Sequence, residues 1–150
     1  MDAQIALATP GDLPRLREVV KRAHLHAKGL EDCRWLVKAT LDGKIVGCAG
    51  MEAMGPYAFF RSYAVEKEYR GLHIGSAIWR RCLELCKQAG VHEMYFVTAW
   101  YNVPRFKHLG CMPISRSQFP REIRAHWQVS SWEFKLLRPI IRPMMIRLDT

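Results

Sequence analysis

A twelve-residue stretch, Val65-Glu-Lys-Glu-Tyr-Arg-Gly-Leu-His-Ile-Gly-Ser76, has the composition of an anion site. An apolar strand runs into a glycine-containing turn, and the turn opens a helix. The first amides of a helix have no partner within it and sit at the positive end of its dipole, which suits a phosphate. Gly71 and Gly75 allow the backbone to approach a ligand with no Cβ in the way, and Arg70 adds a positive charge. The plainer reading of the same residues is a glycine turn that only joins strand to helix. The other reactive side chains point to less. Cys33, Cys48, Cys82, Cys86 and Cys111 are odd in number and contain no CxxC pair, so neither a disulfide framework nor a metal site is expected. His24 and His26 stand two apart and cannot share a helix face, while His108 and His126 are isolated; each reads as a surface or core-edge histidine.

The turn needs a strand before it and a helix after it, and the periodicities supply both. Thr9-Pro10-Gly11-Asp12 is a helix start, and Leu13, Leu16, Val19 and Val20 predict an amphipathic helix to about His26. Ala27 to Cys33 reads as a loop or a short second helix. Trp35 to Leu41 and Lys44 to Met54 read as strands joined by an Asp42-Gly43 hairpin turn. After Gly55-Pro56, Tyr57 to Val65 is a third strand of an antiparallel meander. Ile74, Ile78, Cys82 and Leu85 then recur at helical spacing up to Gly90. A short strand, Met94 to Thr98, a loop from Trp100 to Val103, a helix from Pro104 to Gly110, a strand from Met112 to Ser115 and a helix from Pro120 to Trp127 follow. Residues 135–150 form a basic tail that takes no assignment, because Pro139 and Pro143 interrupt any regular pattern.

A length of 150 residues, with 49% hydrophobic and 25% charged residues, suits one globular domain spanning residues 1–150. No apolar run is long enough to span a membrane, and no secretory signal is expected from Met1 to Pro10. With reduced thiols, this gives a cytoplasmic expectation. The net charge of +9 suits an anionic ligand, and the basic residues are spread along the chain without the block that nucleic-acid binding favours. Neither a nucleic-acid nor a membrane partner is expected, and a homodimer is left open.

The stretch Phe60-Arg-Ser-Tyr-Ala-Val-Glu-Lys-Glu-Tyr-Arg-Gly-Leu-His-Ile-Gly-Ser-Ala77 resembles the central motif of GNAT N-acetyltransferases, an apolar strand followed by Arg/Gln-x-x-Gly-x-Gly/Ala. Arg70 matches the first motif position and Gly75 the last, while His73 stands where a glycine is usual. Asp42 to Gly47 is similar to the family's hairpin and following strand. Arg105-Phe-Lys-His-Leu-Gly-Cys111 is similar to a later motif, with Phe106 in place of its tyrosine. Gly50-Met-Glu52, Phe60-Arg-Ser62 and Phe119 to Arg124 resemble the small amino-acid N-acetyltransferases, the N-acetylglutamate synthase-like group.

This resemblance implies an α/β GNAT fold, a mixed and mostly antiparallel sheet splayed at its centre with flanking helices. It implies acetyl-coenzyme A as acyl donor, without a metal, and a small-molecule amine, an amino acid, as acceptor. Alternatives are peptide or protein N-terminal acetylation, and a degenerate domain that binds coenzyme A without turnover. The cofactor residues implied are Tyr63, Ala64 and Val65 along the third strand, then Arg70, Gly71, Leu72, His73, Ile74, Gly75 and Ser76 around the pyrophosphate, with Phe106 packing beside it or filling the core. The Tyr63 N–H is expected to polarise the thioester carbonyl. Direct attack by an amine needs a base, and Glu52, near the end of its strand, is the candidate. Arg61, one strand over, is expected to hold a substrate carboxylate. Phe106 cannot protonate the departing thiolate, and Tyr101 is the candidate stand-in.

Overall fold

The computed structural model describes residues 2–130, 136–137 and 139–148. Its strands, β1 (Gln4–Leu7), β2 (Trp35–Leu41), β3 (Lys44–Met54), β4 (Tyr57–Val65), β5 (Glu93–Ala99), β6 (Met112–Pro113) and β7 (Ile141–Arg147), form a seven-stranded mixed sheet with flanking helices, in the order β1-β2-β3-β4-β5-β7-β6. Contacts group the chain into two compact units, one of residues 1–52 with 60–89 and one of 53–59 with 90–150.

In the first unit, β2 (Trp35–Leu41) alternates between buried and half-buried positions, as its sequence dictates. Asp42 and Gly43 both take positive φ, 52° and 75°, the turn that matches strand twist and sends β3 (Lys44–Met54) back along β2. Val46 to Met51 is buried without alternation, because helices cover both faces of β3. On one face Cys48 joins Leu16, Val19, Val20, Leu30 and Ala64 in a core beneath α1 (Leu13–Arg22). On the other, Gly47 leaves room for α2 (Ile74–Gln88): a Cβ there would lie 3.0 Å from Ile78 Cδ1 and 3.1 Å from the Ala64 carbonyl oxygen. Phe60, Tyr63 and Trp79 stack edge to face or tilted, with Phe60 5.1 Å from Trp79 and 5.2 Å from Tyr63 between ring centroids. These contacts tie the later half of β4 (Tyr57–Val65) to α2.

Two local expectations change in this unit. A short strand, β1 (Gln4–Leu7), pairs antiparallel with β2. It is mostly exposed and only four residues long, so it leaves little periodic signal. Helix α1 begins after a 3₁₀ turn, Pro10–Asp12, where the Thr9 N–H donates to the Asp12 carboxylate at 2.8 Å. It ends at Arg22 and not near His26. His24 takes φ 61°, the Leu25 N–H donates to the Val20 carbonyl and the His24 N–H to the Lys21 carbonyl. This is the left-handed helix closure that glycine usually marks, here carried by histidine and so silent in the sequence.

In the second unit, β5 (Glu93–Ala99) pairs in parallel with Tyr57–Phe59 of β4. On its other side it pairs antiparallel, over its full length, with β7 (Ile141–Arg147), drawn from the tail that periodicity left unassigned. Met144, Met145 and Ile146 are buried in succession, so β7 shows no alternation to read. Pro143 is tolerated because its role here is as acceptor: its carbonyl takes the Ile114 N–H at 3.1 Å. The strand expected from Met112 to Ser115 shrinks to β6 (Met112–Pro113). The loop expected at Trp100 holds a 3₁₀ turn, Trp100–Asn102, followed by α3 (Val103–His108). Two short helices, α4 (Arg121–Arg124) and α5 (Trp127–Ser130), replace the single one expected from Pro120 to Trp127. Phe59, Tyr95, Phe119, Ile123, Val129 and Met145 form this unit's core. Among the described residues no helix is long and apolar enough to cross a membrane.

Candidate active site

The expected anion turn lies wholly in the first unit. It leaves β4 at Val65, passes a 3₁₀ turn, Lys67–Tyr69, and enters α2 at Ile74. Gly71 takes φ 85° and His73 takes φ 63°, ψ 16°. His73 therefore adopts the left-handed backbone that a glycine would supply there, at the steric cost any residue with a Cβ meets in that region. The substitution keeps the shape of the turn and does not close it. A Cβ added at Gly71 would meet nothing within 4 Å, so the turn is open on that side. The first backbone bond of α2 runs from the Ala77 N–H to the His73 carbonyl, so the N–H groups of Ile74, Gly75 and Ser76 precede the helical ladder. Arg70 folds back, its Nε donating to the Val65 carbonyl at 3.0 Å. These groups fit a pyrophosphate: unpaired donors, a helix N-terminus and a guanidinium, with no carboxylate among residues 70–76.

The start of the turn is anchored by a residue that periodicity does not single out. Glu66 is buried, its N–H donates to the Val46 carbonyl at 2.8 Å, and its carboxylate faces Arg15 at 3.5 Å and Arg22 at 3.3 Å. Both arginines come from α1, so the turn is pinned to that helix as well as to β3. Arg15 also donates to the Ile45 carbonyl.

Strand β4 is irregular where it approaches the turn. Ser62 takes φ 58° within the strand and is buried. The Cys48 thiol donates to its carbonyl at 3.5 Å. A left-handed backbone is unusual for a residue with a Cβ inside a strand, and such strain is found preferentially at functional sites. Immediately after it comes Tyr63, whose hydroxyl donates to the Gly75 carbonyl in the first turn of α2. The tyrosine side chain is thus committed to the helix.

Glu52 and Arg61 are brought together on neighbouring strands, though not as two independent site residues. Arg61 Nη1 donates to Glu52 Oε2 at 3.0 Å, Nε to Ser62 Oγ at 3.1 Å, and Nη2 to the carbonyls of His26, at 3.2 Å, and Lys28. The Arg61 side chain is 1% exposed and that of Glu52 15%. The expected clasp of Arg61 on a substrate carboxylate does not suit this burial, because its donors already meet protein acceptors. One signal was present in the sequence: an arginine within the apolar run Ala58-Phe-Phe-Arg-Ser62 must find partners when the run is buried.

The remaining candidates belong to the second unit. Phe106 is 6% exposed, its ring centroid 4.7 Å from that of Phe96, so of its two expected roles the geometry favours filling the core over lying beside a cofactor. Tyr101 lies in the 3₁₀ turn after β5, 65% exposed, edge to face with Trp100. The cysteines act as apolar packing groups: burial pushes the thiols of Cys33, Cys48, Cys86 and Cys111 up to about 12, and raises that of Cys82 as well. His126 is buried at the edge of the second core, stacked on Phe59 at 4.4 Å.

The family model described as acetyltransferase (GNAT) family matches residues 6–108, a span that includes the turn, Glu52, Arg61 and Phe106. The chain belongs to the GNAT family. A curated N-acetyltransferase of Chlorobaculum tepidum, itself uncharacterized, is 28% identical over 95 residues, which are 63% of this chain and 60% of that protein. Among solved structures, N-acetylglutamate synthase from Neisseria gonorrhoeae, in complex with coenzyme A and N-acetyl-glutamate, superposes with a TM-score of 0.81 at 16% identity. All of this chain is covered there, but only 36% of that one. The ribosomal-protein-S18-alanine N-acetyltransferase of Escherichia coli superposes with a TM-score of 0.75 at 18% identity, over 99% of this chain and 95% of its own. At these identities the structural likeness establishes the GNAT fold, with acceptors as different as these two names imply hosted on one architecture.

Proposed function

We propose that this GNAT protein transfers an acetyl group from acetyl-coenzyme A to the primary amine of a small molecule, an amino acid, by direct attack. The observation that carries the reading is the open turn from Arg70 to Ser76, which keeps glycine-like backbone angles at His73 and presents the first N–H groups of a fifteen-residue helix. In this reading Arg70 and the backbone of Gly71, Leu72, His73, Ile74, Gly75 and Ser76 hold the pyrophosphate. The backbone of Tyr63, Ala64 and Val65 pairs with the pantetheine arm, as an added strand would.

Acetyl-coenzyme A supplies an activated acyl group and a thiolate leaving group. The protein's part is to orient and to move a proton. The Tyr63 N–H, next to the left-handed Ser62, donates to the carbonyl oxygen, where charge develops. Glu52 accepts the proton that the amine must lose, directly or through water, as its carbon–nitrogen bond forms and the carbon–sulfur bond breaks. A thiol pKa of about 8.5 makes thiolate a fair leaving group without a protein acid. Phe106 acts through packing. The amino-acid acceptor is supported by the resemblance around Gly50-Met-Glu52 and by the fold shared with N-acetylglutamate synthase.

Thiol release from acetyl-coenzyme A, measured with each amino acid, with polyamines and with a peptide bearing a free N-terminus, tests the reading. Release with α-amino acids and not with amines lacking a carboxylate is the expected result. Release with the peptide alone makes the protein an N-terminal acetyltransferase. A thermal shift with acetyl-coenzyme A but no release across the panel makes it a binding domain without turnover.

A further inference from the structure

Arg61 is a permanent charge set in an apolar strand, and its guanidinium reaches three separate stretches of chain. Its donors meet Glu52 on β3, the hydroxyl of the left-handed Ser62 on β4, and the carbonyls of His26 and Lys28 in the turn after α1. The exposures differ in a way that decides the roles. At 15% against 1%, a solute that comes to this corner can touch Glu52, while Arg61 lies beneath it.

The turn that Arg61 holds is built to be held. It starts from the left-handed closure at His24 and ends at Gly29, which takes φ 73°. Between them, His26 and Lys28 turn their carbonyls to the guanidinium while His24, Leu25, His26 and Lys28 themselves remain exposed. Lysine in place of Arg61 would bring one nitrogen to a site where a planar fork serves four acceptors.

We propose that Arg61 is the positioning residue of the amine side of the site. It holds the Glu52 carboxylate, the left-handed Ser62 and the turn at residues 26–28 as one piece, and so makes that turn the wall an acceptor amine meets beside Glu52. The proposal rests on Glu52 being the base, and it replaces the role of substrate clamp for Arg61.

The test uses the full chain with Arg61→Met and Arg61→Lys, read in three ways. Hydrogen exchange should quicken in the amides of residues 24–30 while α2 stays protected. Calorimetry should show coenzyme A affinity unchanged. The kcat/KM for the acceptor amine should fall by about 100-fold or more, the low end of what a positioned base contributes, with the KM for acetyl-coenzyme A unmoved. If Arg61→Met does not fold, Arg61→Lys gives the same three readings, with a smaller loss. Unchanged exchange at residues 24–30 would overturn the proposal. So would a loss of protection throughout α2 together with lost coenzyme A affinity, which would make Arg61 a support of the fold alone. Quickened exchange with unaltered amine kinetics would show a tied turn that does not serve the acceptor, and would also overturn it. If the wild-type protein acetylates no amine, the functional reading fails on that measurement, while the exchange data still decide whether Arg61 holds the turn.

Discussion

The turn from Arg70 to Ser76 and the cluster around Arg61 lie in the same compact unit and are built on opposite principles. The turn presents main-chain N–H groups, is exposed from Arg70 to His73, and owes its shape to residues adjacent in sequence. The cluster is centred on the buried Arg61 side chain and joins it to the side chains of Glu52 and Ser62 and to the carbonyls of His26 and Lys28. A backbone site tolerates changes of side chain so long as the dihedral angles survive, which is why His73 can replace a glycine. A side-chain cluster tolerates no loss of a member without leaving a buried polar group unpaired.

That contrast can be broken most severely in the turn. Gly75→Glu would place a carboxylate where the pyrophosphate is proposed to sit, and like charges brought together cost several kcal/mol. Calorimetry should show coenzyme A binding lost, and wild-type affinity in this variant would move the pyrophosphate elsewhere. The next effect sharpens the cluster. Glu52→Gln keeps an acceptor for Arg61 Nη1 but cannot take a proton, so turnover should fall by about 100-fold. The deficit should be largest at low pH, where the amine is protonated, and should narrow as pH rises and free amine becomes abundant. A constant deficit at every pH would indicate a binding role. The smallest effect returns to the turn. His73→Gly should raise stability by about 0.5–1 kcal/mol, the relief of left-handed strain less the extra backbone entropy of glycine. It should leave coenzyme A affinity unchanged. A lower melting temperature would show that the His73 side chain contributes contacts that outweigh the strain.

Elements whose signals are local were read to within a residue or two. The Asp42-Gly43 turn, strands β2, β3 and β4, and helix α2 all follow from period and punctuation. Strand β7 was not legible, since its three consecutive buried residues and its proline carry no period, and only pairing with β5 makes a strand of them. The end of α1 was hidden by a histidine in a glycine's conformation. The sequence marks Glu52, Arg61 and the Arg70–Ser76 turn as candidates, but it does not show that Arg61 is buried against Glu52. Its exposure depends on what covers it, and the covering carbonyls of His26 and Lys28 come from over thirty residues away. Ser62 and Glu66 give no sequence signal, because nothing in a serine within a strand or a glutamate just after it announces a left-handed backbone or a buried ion pair.

By itself, then, the order of residues determined the family motif, the glycine turn that opens α2 and the meander that leads into it, because each depends on dihedral preferences and periodicities carried by neighbours in the chain. The tertiary structure decided which charges are buried and with whom. Arg61 beneath Glu52, and Glu66 between Arg15 and Arg22, are outcomes of packing two helices on the faces of one sheet, where desolvation obliges each charge to find its partner from whatever segment the fold brings near.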